Sequence, residues 1–286
     1  MILVTGATGT VGREVVRQLV KQKIPVRALS RSQEKARVFE GQDVEISIGD
    51  FDDPASLIDA MDGVERVLLV SAPHAHQWEL QRNAIDAAHR ARVAQVVKLS
   101  AMNADPASPT DLLRQHGEIE HYLARLGIAH TLLRPNLFMQ TFLGYGPTIR
   151  DRDAFHAPLP DGRVSLVDAR DVAEVAVLAL AGSGHEGKTY TLTGPEALDF
   201  QTCAAILSEE LGRSVRFAPV DRETARREMV ESANMDPWLA GAVCQLFDDY
   251  QVGRGSQVND DITRLTGHPP RSFRDFVRDH LGAFRA

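Results

Sequence analysis

The chain has 286 residues, of which 43% are hydrophobic, and a formal net charge of −7 at pH 7. A chain of this length can bury a substantial core, as one large domain or two modest ones. The acidic balance argues against broad binding to nucleic acid or anionic membranes. No apolar run approaches the length of a membrane span, and the only cysteines are Cys203 and Cys244. We therefore expect a cytoplasmic protein, a monomer or homodimer, without a signal peptide, disulfides or a metal.

Strand and helix patterns alternate over the first 135 residues. Apolar runs predict strands at Ile2–Val4, Pro25–Ser30, Val44–Ile48, Arg66–Val70, Gln95–Ser100 and Ala129–Arg134. The segments between them predict helices at Val11–Gln22, Gln33–Val38, Pro54–Met61, Gln77–Arg90 and Asp111–Leu126. This order is typical of an α/β protein with a Rossmann-type doubly wound parallel sheet, whose ligands bind at the carboxyl ends of the strands.

The pattern changes after Pro135, where proline, glycine and aromatic residues cluster. We expect an irregular lobe over residues 136–162. Further elements are predicted as strand Val164–Val167, helix Asp171–Ala181, strand Thr189–Thr193, helix Phe200–Leu211, strand Val215–Pro219 and a helix beginning at Pro237. The predicted domains are a dinucleotide-binding domain at 1–135, which 163–182 rejoin, and a smaller α/β substrate lobe at 136–162 and 183–286.

Three glycines follow the first strand in the spacing G-x-x-G-x-x-G. Gly6 permits a tight turn, Gly9 lets the backbone approach a pyrophosphate, and Gly12 lets the following helix pack close to the strand. The helix N-terminus adds unpaired N–H groups and the positive end of a dipole. The alternative is a turn that needs glycine for geometry alone. The predicted phosphate-binding residues are Gly6, Thr8, Gly9, Thr10, Val11 and Gly12.

The end of the second strand indicates which nucleotide is bound. An NAD-selective site usually places an acidic residue there to hold the ribose hydroxyls, whereas this chain has Arg31 followed by Lys35. Both cations can pair with a 2′-phosphate, so NADP(H) is predicted. The alternative is that Arg31 is a solvated surface residue in an arginine-rich chain. The predicted neighbours are Asp50 and Phe51 at the adenine ring, and Ser71, Ala72 and Pro73 on the nicotinamide side.

These residues, together with later motifs, carry a family resemblance that covers nearly the whole chain. The motifs are Val4-Thr-Gly-Ala-Thr-Gly-Thr-Val-Gly12, Gly49-Asp50-Phe51, Leu132-Leu-Arg-Pro-Asn136, Val167-Asp-Ala-Arg-Asp-Val-Ala173, Gly184-His-Glu-Gly-Lys-Thr-Tyr190 and Thr266-Gly-His-Pro-Pro270. The sequence resembles the NmrA-like atypical short-chain dehydrogenase/reductase family, in the branch of the NAD(P)H:quinone oxidoreductases of type 2, NAD(P)H azoreductases and triphenylmethane reductases. The resemblance implies an NADPH-binding domain, a small lobe and a substrate cleft between them. Some members reduce quinones or dyes, and others bind the dinucleotide without turnover.

Ordinary short-chain dehydrogenases use a Tyr-x-x-x-Lys pair as proton donor, and Tyr122 is followed at that spacing by Leu126. The helix instead carries His116, with Glu120 at the i+4 position on the same face. An imidazole can donate a proton near neutral pH, so His116 is a candidate catalytic acid, or else polar lining of the cofactor cleft. Ser100, at the end of the fifth strand, either orients substrate and contacts the cofactor, or its hydroxyl only forms a hydrogen bond with a backbone group at the strand end.

The missing tyrosine favours a conjugated acceptor. Reducing a ketone creates a strongly basic alkoxide, whereas a quinone or dye spreads the charge over its ring system, so positioning supplies much of the rate. The predicted function is therefore hydride transfer from NADPH to a quinone, azo dye or similar conjugated acceptor. The alternatives are a redox-sensing regulator without turnover and a biosynthetic reductase or epimerase.

Predicted substrate contacts lie after two of the strands. His74 follows the fourth strand, and Asn136, Leu137 and Phe138 follow the sixth, next to Pro135 at the cofactor. Leu137 and Phe138 could form an apolar wall for a flat substrate or belong to the core of the lobe. His74 and His76 lack the further ligands that a metal site needs.

Overall fold

A computed structural model describes residues 1–285 and divides them into two compact units. The first unit contains Met1–Pro109, Leu113–Arg134 and Val172–Thr191. The second contains Thr110–Leu112, Pro135–Asp171 and the chain from Leu192 onward. Within residues 1–285, no helix combines the length and the apolar character that a membrane crossing requires.

The elements up to residue 135 follow the predicted order. They are β1 (Ile2–Val4), α1 (Thr10–Lys21), β2 (Val26–Ser30), α2 (Gln33–Ala36), a 3-10 turn (Arg37–Phe39), β3 (Glu45–Ile48), α3 (Pro54–Ala60), β4 (Arg66–Leu69), α4 (Gln77–Arg90), β5 (Gln95–Leu99), α5 (Asp111–Arg125) and β6 (His130–Pro135). Their ends differ from the prediction by two residues at most. The predicted helix at Gln33–Val38 is a four-residue helix that continues into the 3-10 turn.

The remaining elements are mostly helices. They are α6 (Thr141–Gly144), α7 (Gly146–Arg152), β7 (Ala154–Ala157), α8 (Ala169–Ala181), β8 (Thr189–Leu192), α9 (Phe200–Leu211), β9 (Arg216–Pro219), α10 (Arg222–Glu231), α11 (Pro237–Gln251), α12 (Asp261–Thr266), α13 (Phe273–Asp279) and α14 (Leu281–Phe284). As predicted, Pro237 begins a helix.

Seven strands form one sheet in the order β3-β2-β1-β4-β5-β6-β8. The pairs from β3 through β6 are parallel, and Val4 of β1 lies opposite Ala28 on one side and Leu68 on the other. The strand order reverses direction at β1 and β4, which is the switch point where doubly wound sheets bind ligands. The predicted fold class is confirmed.

Two predictions for residues 136–167 are wrong. The segment 136–162 is not irregular throughout, because it forms α6, α7 and β7, and β7 pairs in parallel with β9. Pro147, which suggested irregular chain, sits in the first turn of α7, where a missing N–H costs nothing. Val164–Val167 forms no strand, and only isolated bridges join Val164 to Leu198 and Phe138 to Val167. The Ser165 hydroxyl between them instead donates to the Gln257 carbonyl at 2.7 Å.

Aromatic rings fill the core of the second unit. Phe142 has its ring centroid 4.6 Å from that of Phe273 and 5.4 Å from that of Phe155, and all three side chains are fully buried. Edge-to-face pairs of this kind add stability beyond the area they bury. Most of the aromatic cluster after Pro135 therefore packs the core. Cys203 and Cys244 are also buried, as free thiols.

Candidate functional site

The glycine turn between β1 and α1 adopts a conformation that side chains would obstruct. Gly6 has φ +56°, in the left-handed region, and its carbonyl accepts a hydrogen bond of 2.9 Å from the Gly9 N–H. A Cβ atom on Gly12 would overlap the Gly6 carbonyl oxygen. Gly9 itself is exposed. The turn is therefore closed on its inner side and open to solvent at Gly9, as a phosphate cradle requires.

The N-terminus of α1 is available to an anion. Gly9 occupies the N-cap position, and within residues 1–285 no side chain caps this helix and no acidic residue lies in its first turn. Thr10 is exposed, Thr8 is half-buried, and Val11 packs into the core beneath them. Uncapped N–H groups and the helix dipole together favour a negatively charged ligand.

Two free cations lie beyond the end of β2. Arg31 and Lys35 are both exposed, and across residues 1–285 neither charged group takes part in a hydrogen bond or ion pair. Ser32 between them caps α2 by accepting a hydrogen bond from the Lys35 N–H at 3.3 Å. A guanidinium and an ammonium group without carboxylate partners can pair with a phosphate.

The residues after β3 and β4 lie at the same carboxyl edge of the sheet. Asp50 is half-buried and its carboxylate accepts a hydrogen bond from the Asp52 N–H at 3.1 Å. The Phe51 side chain packs against the core of the first unit. The Ser71 hydroxyl accepts a hydrogen bond of 2.8 Å from Gln81. Ala72, Pro73, His74 and His76 are exposed in the loop that follows.

A buried lysine lies against His116. The Nζ atom of Lys98, in β5, is 3.0 Å from Nδ1 of His116, in α5, and 3.2 Å from the Leu99 carbonyl oxygen. The Lys98 side chain is fully buried. Burial lowers the pKa of Lys98 to about 7, with Glu120 opposing and Arg134 assisting the effect. Burial and the Lys98 charge also hold the pKa of His116 well below its usual range, so the imidazole is neutral at neutral pH.

Ser100 belongs to a second polar group on the same two elements. Its hydroxyl donates a hydrogen bond of 2.5 Å to the buried Glu120 carboxylate. The same carboxylate accepts from Arg134 of β6, through Nε at 3.0 Å and also through Nη2. Ser100 is thus a donor within a buried charge-paired group.

Glutamines of α4 and α5 connect the loop after β4 to His116. Gln77 is 1% exposed, and its Nε2 atom lies 3.5 Å from Nε2 of His116. Gln77 Oε1 is buried and has no hydrogen-bond partner among the described residues. Gln115 accepts from the Trp78 N–H at 3.0 Å and donates to the His74 carbonyl at 3.2 Å. The loop that carries His74 is therefore tied to the helix that carries His116.

The residues predicted after β6 lie in the second unit. Pro135 is the buried last residue of β6. Asn136 is buried and donates to the Ser165 hydroxyl at 2.7 Å and to the Gly255 carbonyl at 2.8 Å, while its own oxygen accepts from the Leu137 N–H. Leu137 packs against the aromatic core, and Phe138 is half-buried. The Asn136 amide is engaged in structural bonds, and the substrate role of these residues stays a prediction.

Lys98 and Gln77 are the functional candidates that sequence reasoning missed. Lys98 interrupts the apolar run Val96-Val97-Lys-Leu99. Ser100 lies two positions further along the chain, so the two side chains share one side of the strand. A lysine within a strand expected to be buried on both faces is the signal that could have identified it.

Comparisons with known proteins agree with the motifs. The sequence model of the NmrA-like family matches residues 1–269, which confirms the resemblance. NAD(P)H azoreductase from Xenophilus azovorans is 39% identical over 290 residues, covering 100% of both chains. The (4-alkanoyl-5-oxo-2,5-dihydrofuran-3-yl)methyl phosphate reductase from Streptomyces griseus is 39% identical over 99% of both chains. The crystal structure of the NADPH-dependent quinone oxidoreductase from Escherichia coli with NADPH has a TM-score of 0.88 at 29% identity, covering 99% of this chain and 100% of that one.

Proposed function

The chain belongs to the NmrA-like family, and we propose that it is an NADPH-dependent oxidoreductase which reduces a quinone, an azo dye or a similar conjugated acceptor. The observation that carries the proposal is the glycine turn with its uncapped helix N-terminus, together with two unpaired cations, Arg31 and Lys35, beyond the end of the neighbouring strand β2. The azoreductase and the quinone oxidoreductase, which align over nearly their full lengths, support the same reaction class.

The residues of the first unit fit NADPH. Gly6 to Gly12 would hold the pyrophosphate, because the turn leaves room for backbone N–H groups to approach it. Arg31 and Lys35 would pair with the 2′-phosphate, which NADH lacks. Asp50 and Phe51 would lie beside the adenine, and Ser71, Ala72 and Pro73 on the nicotinamide side.

The polar groups near the expected reacting centre suit an acceptor that tolerates negative charge. NADPH, when bound, supplies a hydride. His116 is neutral, and the Ser100 hydroxyl donates its hydrogen bond to Glu120. Neither side chain is therefore an efficient proton donor at neutral pH. A quinone or azo group delocalises the incoming charge and needs only a modest proton donor, whereas a simple ketone needs a stronger one.

A second candidate reaction is the reduction of a conjugated carbon–carbon double bond in biosynthesis. It is favoured by the 39% identity to the dihydrofuran phosphate reductase, whose substrate name places a ring double bond next to two carbonyl groups. This substrate is also a conjugated acceptor, and it requires the same hydride donor. It differs in carrying a phosphate.

Turnover with a substrate panel tests the proposal. Purified protein is incubated with NADPH and quinones, azo dyes, a phosphorylated dihydrofuranone and simple ketones, and cofactor absorbance is followed. We expect oxidation of NADPH with the conjugated acceptors and little with the ketones. Tight NADPH binding without turnover of any acceptor would contradict the proposal and favour a regulator. Preference for the dihydrofuranone over every quinone and dye would favour the biosynthetic reaction.

We also propose that the protein acts in the cytoplasm, as a monomer or homodimer. Its two cysteines are buried free thiols, which suits a reducing compartment. Its partners are then the dinucleotide and a small acceptor, since the net charge of −7 opposes binding to nucleic acid.

A further inference from the structure

Lys98 is the one buried lysine among the five in the chain. The other four, Lys21, Lys23, Lys35 and Lys188, are all exposed. The Lys98 side chain reaches only two acceptors among the described residues, the Leu99 carbonyl and Nδ1 of His116. No carboxylate lies within ion-pairing distance of it in residues 1–285, because Glu120 is bound to Ser100 and Arg134. Burying a lysine without a carboxylate partner costs folding free energy. A residue kept at such a cost is a candidate for a functional role.

We propose that Lys98 and His116 share one proton, and that Lys98 is a positioning residue which supplies, through His116, the proton that the reduced acceptor takes up. This inference rests on the proposed function for its second half. Its first half, the shared proton, concerns the protein alone.

The contacts around His116 allow two arrangements that differ by one proton. In the first, the Lys98 ammonium donates to Nδ1, so the ring carries its own proton on Nε2. In the second, a neutral Lys98 amine accepts from Nδ1–H, and Nε2 is free to accept from the Gln77 amide, 3.5 Å away. Gln77 suits both, because its unpartnered oxygen can face an Nε2 proton after the amide turns over.

The electrostatic surroundings place the two arrangements close in free energy. The charged and titratable groups that act on Lys98 are His116 and Glu120 from α5 and Arg134 from β6. Burial lowers the pKa of Lys98 to about 7, whereas the pKa of His116 is too low for a stable imidazolium. Near pH 7 both arrangements are therefore populated, and in the charged one the extra proton resides on Lys98 while the ring carries its own proton on Nε2.

The proton transfer balances as follows. Hydride addition leaves the acceptor as an anion, with charge on a quinone oxygen or an azo nitrogen. The His116 Nε2–H bond breaks and an O–H or N–H bond forms on the acceptor, while a Lys98 Nζ–H bond breaks and an Nδ1–H bond forms. To restore the first arrangement, water delivers a proton to Nε2 of His116, while the Nδ1–H bond breaks and the Nζ–H bond of Lys98 forms again. No group is oxidised or reduced in this transfer.

Nuclear magnetic resonance of the protein without ligands tests the shared proton. Lysine labelled at Cε gives five signals, and replacing Lys98→Met identifies one of them, with Lys188→Met as the matched surface control. We expect the Lys98 signal to titrate near pH 7, and this signal to remain in Lys188→Met. As the pH rises through the same range, the proton on the neutral His116 ring should move from Nε2 to Nδ1. A Lys98 midpoint above about pH 9, or an unchanged tautomer, would overturn the proposal.

Kinetics test the relay. Lys98→Met and His116→Gln should each lower kcat for a quinone by about tenfold to a hundredfold, with the KM for NADPH unchanged within about twofold. In the native protein kcat should fall as the pH rises through about 7, where Lys98 loses its proton, and in Lys98→Met this fall should be absent. The double variant should be no slower than the slower single one, because the two groups act as a unit. Retention of the pH-dependent change would overturn the relay. Failure of the native protein to reduce any acceptor would instead defeat the proposed function and the relay with it, leaving the resonance result standing.

Discussion

The carboxylate of Glu120 accepts a hydrogen bond of 2.5 Å from the Ser100 hydroxyl while it binds the Arg134 guanidinium through both oxygens. One side chain thus joins the end of β5, the middle of α5 and the end of β6. The Ser100 proton points into this group, so the hydroxyl can only accept from a ligand unless the bond to Glu120 breaks. The arrangement makes Ser100 a fixed acceptor at the carboxyl edge of the sheet.

Glu120→Gln should lower the free energy of unfolding by roughly 2 to 3 kcal/mol, because it leaves the partly buried Arg134 charge without its partner. Glu118→Gln on the same helix is the matched control. Glu118 pairs with Arg114 at 3.1 Å, but its side chain is 35% exposed, so its loss should cost less than about 0.5 kcal/mol. Urea denaturation of both variants measures the difference, and equal effects would contradict the role of Glu120.

Lys98→Met should stabilise the protein in a pH-dependent way. The folded state loses the Lys98 proton near pH 7, whereas an unfolded lysine keeps it until about pH 10.5. Between these values the unfolded state binds more protons, so the native protein gains stability with rising pH. The advantage of Lys98→Met should therefore shrink by roughly 2 to 3 kcal/mol between about pH 7.5 and pH 9.5. Denaturant unfolding at both pH values, with Lys188→Met as control, checks this; a constant advantage would contradict it.

Gly12→Ala should destabilise the turn and weaken NADPH binding, because the new Cβ would overlap the Gly6 carbonyl oxygen and push α1 away from β1. We expect a loss of roughly 2 kcal/mol or more. Gly282→Ala in α14 meets open space and should be neutral or stabilise by up to about 1 kcal/mol. Thermal unfolding and isothermal titration with NADPH measure both effects, and similar results for the two variants would refute the steric argument.

Arg31→Ala should weaken NADPH binding by about tenfold or more and NADH binding by less than about threefold, because only NADPH carries the 2′-phosphate. Lys35→Ala should act in the same direction with a smaller effect. Arg37→Ala is a suitable control, since Arg37 is exposed in the following 3-10 turn and is 3.8 Å from Glu40. Fluorescence titration gives the dissociation constants. Equal losses for both nucleotides would show that Arg31 does not bind the 2′-phosphate.

The fold of residues 1–135 was predictable because each element has a strong local signal. Gln77–Arg90 matches its prediction at both ends. The same holds later in the chain for Phe200–Leu211, where Asp199 caps the helix by accepting from the Thr202 N–H. The failures lie where tertiary packing overrides local pattern. Val164 to Val167 has the composition of a strand, but its neighbours offer only single bridges.

The candidate site was predictable only in part. Glycine spacing identified the turn, because backbone geometry at Gly6 and Gly12 excludes other residues. The roles of His116 and Ser100 depend on what lies across from them, and no spacing in the sequence pairs Lys98 with His116 or Ser100 with Glu120. Charge on the imidazole is set by burial and by that lysine, so the sequence alone could not show that it is neutral.

One of the two edge strands of the sheet, β8, comes from a late part of the sequence. β6 ends at Pro135, and β8, its neighbour, begins at Thr189. Their contact starts with bonds from the Leu132 N–H to the Lys188 carbonyl and from the Gly187 N–H to the His130 carbonyl. At synthesis rates of roughly 5 to 20 residues per second, β6 emerges from the ribosome roughly 3 to 10 seconds before β8. During that interval β6 has no neighbour on the side that β8 will occupy. Its unpaired N–H and C=O groups can then pair with a strand of a neighbouring chain.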